Sequence, residues 1–326
     1  MKASAIAEQE TKFGTELTNT SKVKYKEIDT IVIAGGDTTI RQIRPNFDSY
    51  YYATETKKDM IVIHSTAGTL RADMASLTTK DNHVSVSYVI ARSGEVYELF
   101  DPKYWSYHLG TGAVGGNKPN SQRSIAIEMS NYGPLTLRGE DLETIYSQVT
   151  YKDSNGDTKK TKKDVYCTLD EPEYYSIVED GYRGYKYFAS FTPEQYKALN
   201  NLLDYLCIEH NIPKTFLDED KRYETFASTS EAKEFKGICT HVNFRKAGKW
   251  DLGPDFAWEK ITGEEVEAES EEISLESLMN PVTEPVVEKP VVDEPIVPTP
   301  APTPVVEEQP KKKISWLSAL LKLFRK

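Results

Sequence analysis

The chain of 326 residues carries 40 basic and 51 acidic side chains, which gives a formal net charge of −11 at pH 7. This length allows one large domain with appendages or two small domains, and a content of 38% hydrophobic and 11% aromatic residues excludes a wholly disordered chain. No apolar run is long enough to predict a membrane-spanning helix. The acidic total also excludes general nucleic-acid binding by the body of the protein.

The first segment, residues 1–23, is predicted to be a polar, weakly structured lead-in. It lacks the apolar stretch of a secretion signal, so synthesis in the cytoplasm without Sec export is expected. The three cysteines are few and far apart in the sequence: Cys167, Cys207 and Cys239. Such a set is typical of a chain that folds in a reducing compartment.

Apolar patterning predicts a mixed series of strands and helices. Strands are predicted at 60–63, 84–90, 95–100, 124–129 and 236–240, and helices at 70–80 and from Thr192 to about His210. The second helix has a complete start signal, with Thr192 as N-cap and Pro193 in the first turn. Residues 138–187 are charged and rich in tyrosine, and are predicted to be an inserted hairpin or excursion.

The composition changes completely after Ile261. Residues 262–310 hold 13 acidic residues against one lysine, and nine of the 17 prolines lie between Pro281 and Pro310. Such a segment buries too little apolar surface to offset its ordering entropy, so a disordered acidic linker is predicted.

The tail, residues 311–326, contains five lysines and one arginine among leucines and aromatic residues. This pattern predicts a short cationic amphipathic helix, too short to cross a bilayer. We expect it to contact an anionic membrane or lipopolysaccharide; the alternative is docking onto its own domain or a partner helix.

Two histidines stand at the ends of predicted strands. His64 follows the strand at 60–63, His241 follows the strand at 236–240, and Asp251 comes ten residues later. Two imidazoles and one carboxylate with an open fourth position are the usual composition of a hydrolytic zinc site. The alternative is that each histidine is a structural, hydrogen-bonded residue at a strand end.

Five segments within residues 60–261 together resemble the zinc-dependent N-acetylmuramoyl-L-alanine amidase superfamily, which includes phage amidase-type lysozymes and peptidoglycan-recognition proteins. The segments are Ile61–Gly68, Val84–Gly94, His108–Gly110, Ser124–Glu128 and His241–Trp258. The resemblance implies an α/β fold with a mixed central β-sheet flanked by helices. It also implies that residues 24–261 form the catalytic domain.

The resemblance also implies roles for single residues. It implies Zn²⁺ bound by His64, His241 and Asp251, Glu128 as the catalytic acid, Lys249 as the group that stabilises the oxyanion, and His108 as a substrate contact in the groove. Two positions depart from the family pattern. Leu252 replaces a proline after Asp251, and Val86 occupies a place where some relatives have an active-site tyrosine, so Glu128 has to carry the acid role.

Structural roles are the alternatives for several of these residues. Glu128 could pair with a surface base, Lys249 could be an exposed loop residue, and Cys239 is expected to be a buried thiol rather than a ligand. The tyrosines at 174–187 could line a glycan groove or form the core of the insertion.

The function implied by the resemblance is hydrolysis of the amide bond between N-acetylmuramic acid and L-alanine in peptidoglycan. The absence of a Sec signal fits either a phage-type endolysin that acts at the host cell wall or an intracellular recycling enzyme. The predicted linker and tail favour the endolysin. The alternatives are a non-catalytic peptidoglycan-recognition module and a zinc endopeptidase that cleaves stem peptides.

Overall fold

The computed structural model describes residues 3–16, 24–147 and 163–263, together with the backbone of two short strands between them. The predicted linker and tail lie outside the described residues, apart from Thr262 and Gly263. Within the described part of the chain, no helix has both the length and the apolar character needed to cross a bilayer.

Six α-helices and fourteen strands are present in the described part of the chain. The helices are α1 Ile6–Thr15, α2 Leu70–Leu77, α3 Asn117–Arg123, α4 Pro193–Glu209, α5 Thr229–Glu234 and α6 Glu259–Thr262. The strands are β1 Tyr25–Ile33, β2 Thr38–Pro45, β3 Met60–Ser65, β4 Tyr88–Ile90, β5 Val96–Glu98, β6 Ser124–Met129, β7 Pro134–Arg138, β8 Asp141–Thr144, β9 Tyr151–Lys152, β10 Thr158–Lys159, β11 Val165–Thr168, β12 Tyr175–Tyr182, β13 Tyr185–Ala189 and β14 Gly237–Thr240.

A seven-stranded mixed sheet, in the order β1-β2-β5-β4-β6-β3-β14, forms the centre of the fold. Strand β3 pairs in parallel with both β6 and β14, whereas β1 pairs with β2 and β4 with β5 in antiparallel fashion. Parallel strands are stable when both faces are covered, which explains why the run Met60–Ile63 is apolar throughout. The predicted α/β fold with a mixed central sheet is confirmed.

Helices cover both faces of this sheet. Ile61 and Ile63 point to the face that carries α4, and pack with Leu199 and Leu203 of that helix. Side chains alternate along a strand, so Met60, Val62 and His64 belong to the opposite face. The start of α4 is as predicted, because Thr192 and Gln195 form a reciprocal capping box and Pro193 is the first helical residue.

The prediction that residues 1–23 are a weakly structured lead-in is wrong for residues 3–15. They form a short 3-10 helix and α1, and Phe13 is only 1% exposed, in contact with the rings of Tyr25 and Tyr97. Ala3 and Ile6 pack into a separate apolar cluster with Leu135 of β7 and Leu142 of β8. The helix was not predicted because residues 3–15 are mainly polar. A few apolar side chains near each end are enough to pack it against the rest of the protein.

The predicted insertion is a second, five-stranded antiparallel sheet in the order β11-β8-β7-β13-β12, spanning residues 134–189. Tyr174, Tyr175 and Tyr187 pack against its apolar core, so these tyrosines support the sheet. Tyr182 and Tyr185 instead stand at the end of the β12–β13 hairpin, where the two strands pair.

Candidate functional site

The site lies where three neighbouring strands of the central sheet end. Glu128 of β6 is the direct partner of His64 on β3, and Thr240 of β14 pairs with Ile63, so His241 follows at the same edge. The carboxyl ends of parallel strands are the usual ligand-binding edge of such sheets. The pairing register therefore brings together residues that are far apart in sequence.

His64, His241 and Asp251 converge on one point and are each at most 4% exposed. The two Nδ1 atoms are 2.9 Å apart, and Asp251 Oδ2 lies 3.0 Å from His241 Nδ1 and 3.4 Å from His64 Nδ1. The three predicted metal ligands are thus adjacent. In the part of the chain that the structure describes, they form a group able to hold a metal ion.

The hydrogen-bond partner of His241 Nε2 determines which ring nitrogen of His241 carries the hydrogen. His241 Nε2 lies 3.1 Å from the carbonyl oxygen of Leu109. A carbonyl oxygen can only accept, so Nε2 carries the hydrogen and Nδ1 keeps a lone pair that faces the site.

A longer chain of hydrogen bonds assigns His64 in the same way. Ser124 Oγ donates to the carbonyl oxygen of Asn120 at 2.7 Å, and therefore accepts from His108 Nε2, also at 2.7 Å. His108 Nδ1 is then the acceptor for His64 Nε2 at 2.9 Å. As a result, His64 Nδ1 also carries a lone pair that faces the site.

These assignments test whether the residues fit a zinc ion. Two nitrogen lone pairs and a carboxylate oxygen face one another with no hydrogen between them, an arrangement that is repulsive unless a cation lies among them. Burial lowers the pKa of His64, and lowers that of His241 to about 4, so both rings are neutral at neutral pH, as metal ligation requires. Both distal nitrogens are also hydrogen-bonded, as is usual for zinc-binding histidines, so the donor set fits zinc.

His108 does not occupy the place that the sequence predicted. Its side chain is 6% exposed, and both of its ring nitrogens are engaged, one by His64 and one by Ser124. It lies behind His64 rather than in an open groove, so the prediction of a substrate contact does not fit. Sequence reasoning missed Ser124 and Asn120, because nothing in their spacing indicates contact with His108.

Glu128 lies beside His64 and is half-buried. Burial raises its pKa well above the usual value, the charge of Asp251 adds to the rise, and the charge of Lys249 opposes it. A carboxyl group with a raised pKa can both take and return a proton near neutral pH. Lys249 is also half-buried and acts electrostatically on both histidines, which places its charge near the site.

Cys239 is not one of the converging residues. It is buried, its Sγ contacts the carbonyl oxygen of Ile61 at 3.8 Å, and burial raises the pKa of its thiol. A thiol that stays protonated is a poor metal ligand, so Cys239 is a buried core residue, as predicted.

Trp250, which sequence reasoning did not single out, directly precedes Asp251 and is half-buried. A Cβ added to Gly133 would lie 2.8 Å from Trp250 Nε1, so the indole packs directly on this turn, where Gly133 has a φ of 63°. The ring of Tyr185 meets Trp250 edge-on at a centroid distance of 6.3 Å. The second sheet therefore contacts the segment that carries Asp251.

Two histidines and a carboxylate that converge on one buried point at the edge of the mixed sheet form a group that could hold a metal ion. The family model of the N-acetylmuramoyl-L-alanine amidases matches residues 54–254, more than half of the chain. The chain therefore belongs to the N-acetylmuramoyl-L-alanine amidase family, and the family predicted from the sequence is confirmed.

The chain is also similar to parts of several solved amidase structures. The E. coli amidase AmiD is 20% identical, with 65% of this chain and 58% of that chain covered and a TM-score of 0.37, so the match spans less than two thirds of AmiD. LysC from Clostridium intestinale is 12% identical (68% and 95% covered, TM-score 0.34), and AmpDh3 from Pseudomonas aeruginosa is 15% identical (67% and 65% covered, TM-score 0.35). A comparison with curated proteins gives no match.

Proposed function

We propose that this protein is a zinc-dependent hydrolase that cleaves the amide bond between N-acetylmuramic acid and L-alanine in peptidoglycan. Membership of the N-acetylmuramoyl-L-alanine amidase family supports hydrolysis of an amide bond of this class. The observation that carries the zinc proposal is the convergence of two histidine lone pairs and the Asp251 carboxylate at one buried point. Glu128, in register beside His64, supports hydrolysis rather than recognition alone.

The chain's own residues divide the chemistry among them. His64, His241 and Asp251 would hold the zinc ion, which when bound would supply Lewis acidity to the scissile carbonyl and to water. Glu128 accepts a proton from the attacking water and returns it to the leaving amine nitrogen. Lys249 would stabilise the negative charge that develops on the carbonyl oxygen, and loss of such a group commonly costs about 10²–10³ in rate.

The biological role we propose is that of a phage-type endolysin that acts at the host cell wall after synthesis in the cytoplasm. The acidic, proline-rich composition of residues 262–310 and the cationic composition of residues 311–326 support this role. A spacer of this composition would let the tail contact an anionic membrane or lipopolysaccharide while the catalytic domain acts on peptidoglycan.

The deciding experiment uses the zinc-loaded full chain and a muropeptide of the kind bound in the AmiD complex, in which anhydro-N-acetylmuramic acid carries L-Ala-D-γ-Glu-L-Lys. Release of a peptide with a free L-alanine amino terminus is expected. A different new amino terminus would show an endopeptidase, and binding without release would show a recognition module. Either outcome would overturn the proposal.

A further inference from the structure

The hairpin between β12 and β13 ends in an unusual tip. Tyr182 pairs with Tyr185, and the two residues between them, Arg183 and Gly184, both have positive φ, 49° and 92°. Two-residue hairpin loops of this kind favour asparagine or glycine at the first position, and arginine is uncommon there. A side chain kept at an unfavourable backbone position calls for a reason elsewhere in the structure.

That reason lies in the contacts of the guanidinium group. Arg183 Nη1 donates to the carbonyl oxygen of Arg245 at 2.9 Å and to that of Lys249 at 2.5 Å. One side chain of the second sheet therefore bridges both ends of the loop 245–249. This loop follows His241 and carries Lys249.

The hairpin also contacts the chain on the other side of Asp251. A Cβ added to Gly253 would lie 2.8 Å from Tyr182 Cδ1, so the tyrosine ring packs against this glycine. The Arg183 guanidinium lies 5.4 Å from the centroid of the same ring, a cation–π distance. The contacts of the hairpin thus extend from residue 245 to residue 253.

Asp251 has an anchor of its own in the central domain. The N–H of Val242 donates to the carbonyl oxygen of Asp251 at 3.1 Å, and Asp251 Oδ2 lies beside His241. The proposed metal ligand is thus held by the segment that carries His241. The carbonyl oxygen of Lys249, in contrast, is held by the guanidinium of Arg183.

We propose that Arg183 is a positioning residue for Lys249, so that the second sheet is a working part of the active site. Arg183 holds the backbone at residues 245 and 249, and thereby directs the Lys249 ammonium toward the reacting carbonyl. The kinetic side of this inference rests on the proposed function. The structural side, the restraint of the loop by Arg183, does not.

The test compares Arg183→Ala, Lys249→Ala and the double variant in the zinc-loaded full chain. The control is Lys186→Ala, which removes an exposed lysine of the same hairpin that pairs with exposed Glu179. For Arg183→Ala we expect kcat to fall about 10- to 100-fold, with KM and zinc affinity within about threefold of the wild type. The double variant should be no slower than Lys249→Ala, because Arg183 acts through that lysine.

Additive losses in the double variant would overturn the inference, as would an unchanged kcat in Arg183→Ala. A loss of zinc affinity as large as the loss of kcat would show a general structural role instead. Amide hydrogen exchange of residues 245–250 provides a readout without substrate, and it should be faster in Arg183→Ala than in Lys186→Ala. If the wild type does not cleave the muropeptide, the proposed function fails, while unchanged exchange would overturn the role of Arg183.

Discussion

At the scale of single residues, the candidate site depends on which ring nitrogen of each histidine carries hydrogen. The carbonyl oxygen of Leu109 determines this for His241, and the chain from His108 through Ser124 determines it for His64. Residues behind the ligands therefore decide whether the lone pairs face the metal position.

We expect His108→Phe to weaken zinc binding by about 10- to 100-fold, because a planar ring is kept while the acceptor for His64 Nε2 is lost. Competition with a chromogenic chelator measures the affinity. His210→Ala is the matched control, since His210 stands at the end of α4, away from the converging residues. Zinc affinity of His108→Phe within twofold of the wild type would contradict the role of His108.

Glu128→Gln is expected to keep zinc but to lose at least about 10²-fold in hydrolysis, because an amide cannot shuttle a proton. Burial raises the pKa of Glu128, so in the wild type kcat/KM should rise with pH through a value above that of an ordinary glutamate, as the carboxyl group loses its proton. This acid limb should be absent from the residual activity of the variant. Turnover close to normal would rule out the proposed role.

At the scale of elements, α1 connects the two sheets. Its first residues pack with the second sheet, while Phe13 packs on the central sheet. Glu10 lies between these contacts, is 2% exposed, and accepts from the N–H of Ser93 at 3.3 Å. Because Glu10 is buried where α1 packs on the rest of the protein, we expect the packing of α1 to depend on pH.

Burial raises the pKa of Glu10 to about 7, against the opposing charge of Arg92. The folded state therefore binds this proton more tightly than the unfolded state. The contribution of protonated Glu10 to the free energy of unfolding is complete below about pH 4.5. It is lost as the pH rises towards 7, a difference of about 3 kcal/mol.

Glu10→Gln should flatten this pH dependence, so that urea unfolding at pH 5 and pH 8 gives a smaller difference in the free energy of unfolding than in the wild type. Glu8→Gln, on the exposed side of the same helix, should keep the wild-type difference. Equal pH dependence in Glu10→Gln and the wild type would show that Glu10 does not titrate in this range.

At the scale of the whole molecule, the net charge of −11 is distributed unevenly. The 13 acidic residues of 262–310 and the six basic residues of 311–326 adjoin a catalytic region that is only mildly acidic. If the tail acts at an anionic surface, its contribution should depend on salt and on intact cells, because exposed charges are screened.

Deletion of residues 311–326 is expected to leave hydrolysis of isolated sacculi unchanged while weakening attack on intact cells. The two activities are compared at low and high salt, and the difference between full chain and truncated chain should shrink as salt rises. Equal killing by both proteins would exclude the proposed membrane contact.

Several elements were predictable from sequence because their signals are local. The apolar run of β3 and the cap of α4 depend on neighbouring residues, and both are present as predicted. The α1 helix was missed because its stability comes from packing at its two ends. The second sheet was predicted only as an inserted hairpin or excursion, since its strand order depends on pairing between distant segments.

By itself, the sequence determined the residue types of the site, the helix and strand signals and, through five ordered motifs, the family. The tertiary structure decided which atoms meet: the register of β6, β3 and β14 aligns Glu128, His64 and His241, and the second sheet brings Arg183 to the Lys249 loop. In the tertiary structure His108 lies behind His64, and not in the groove where the sequence predicted it. The physical reason is that hydrogen bonds and burial act over a few ångströms in space, whereas sequence patterns report only neighbours along the chain.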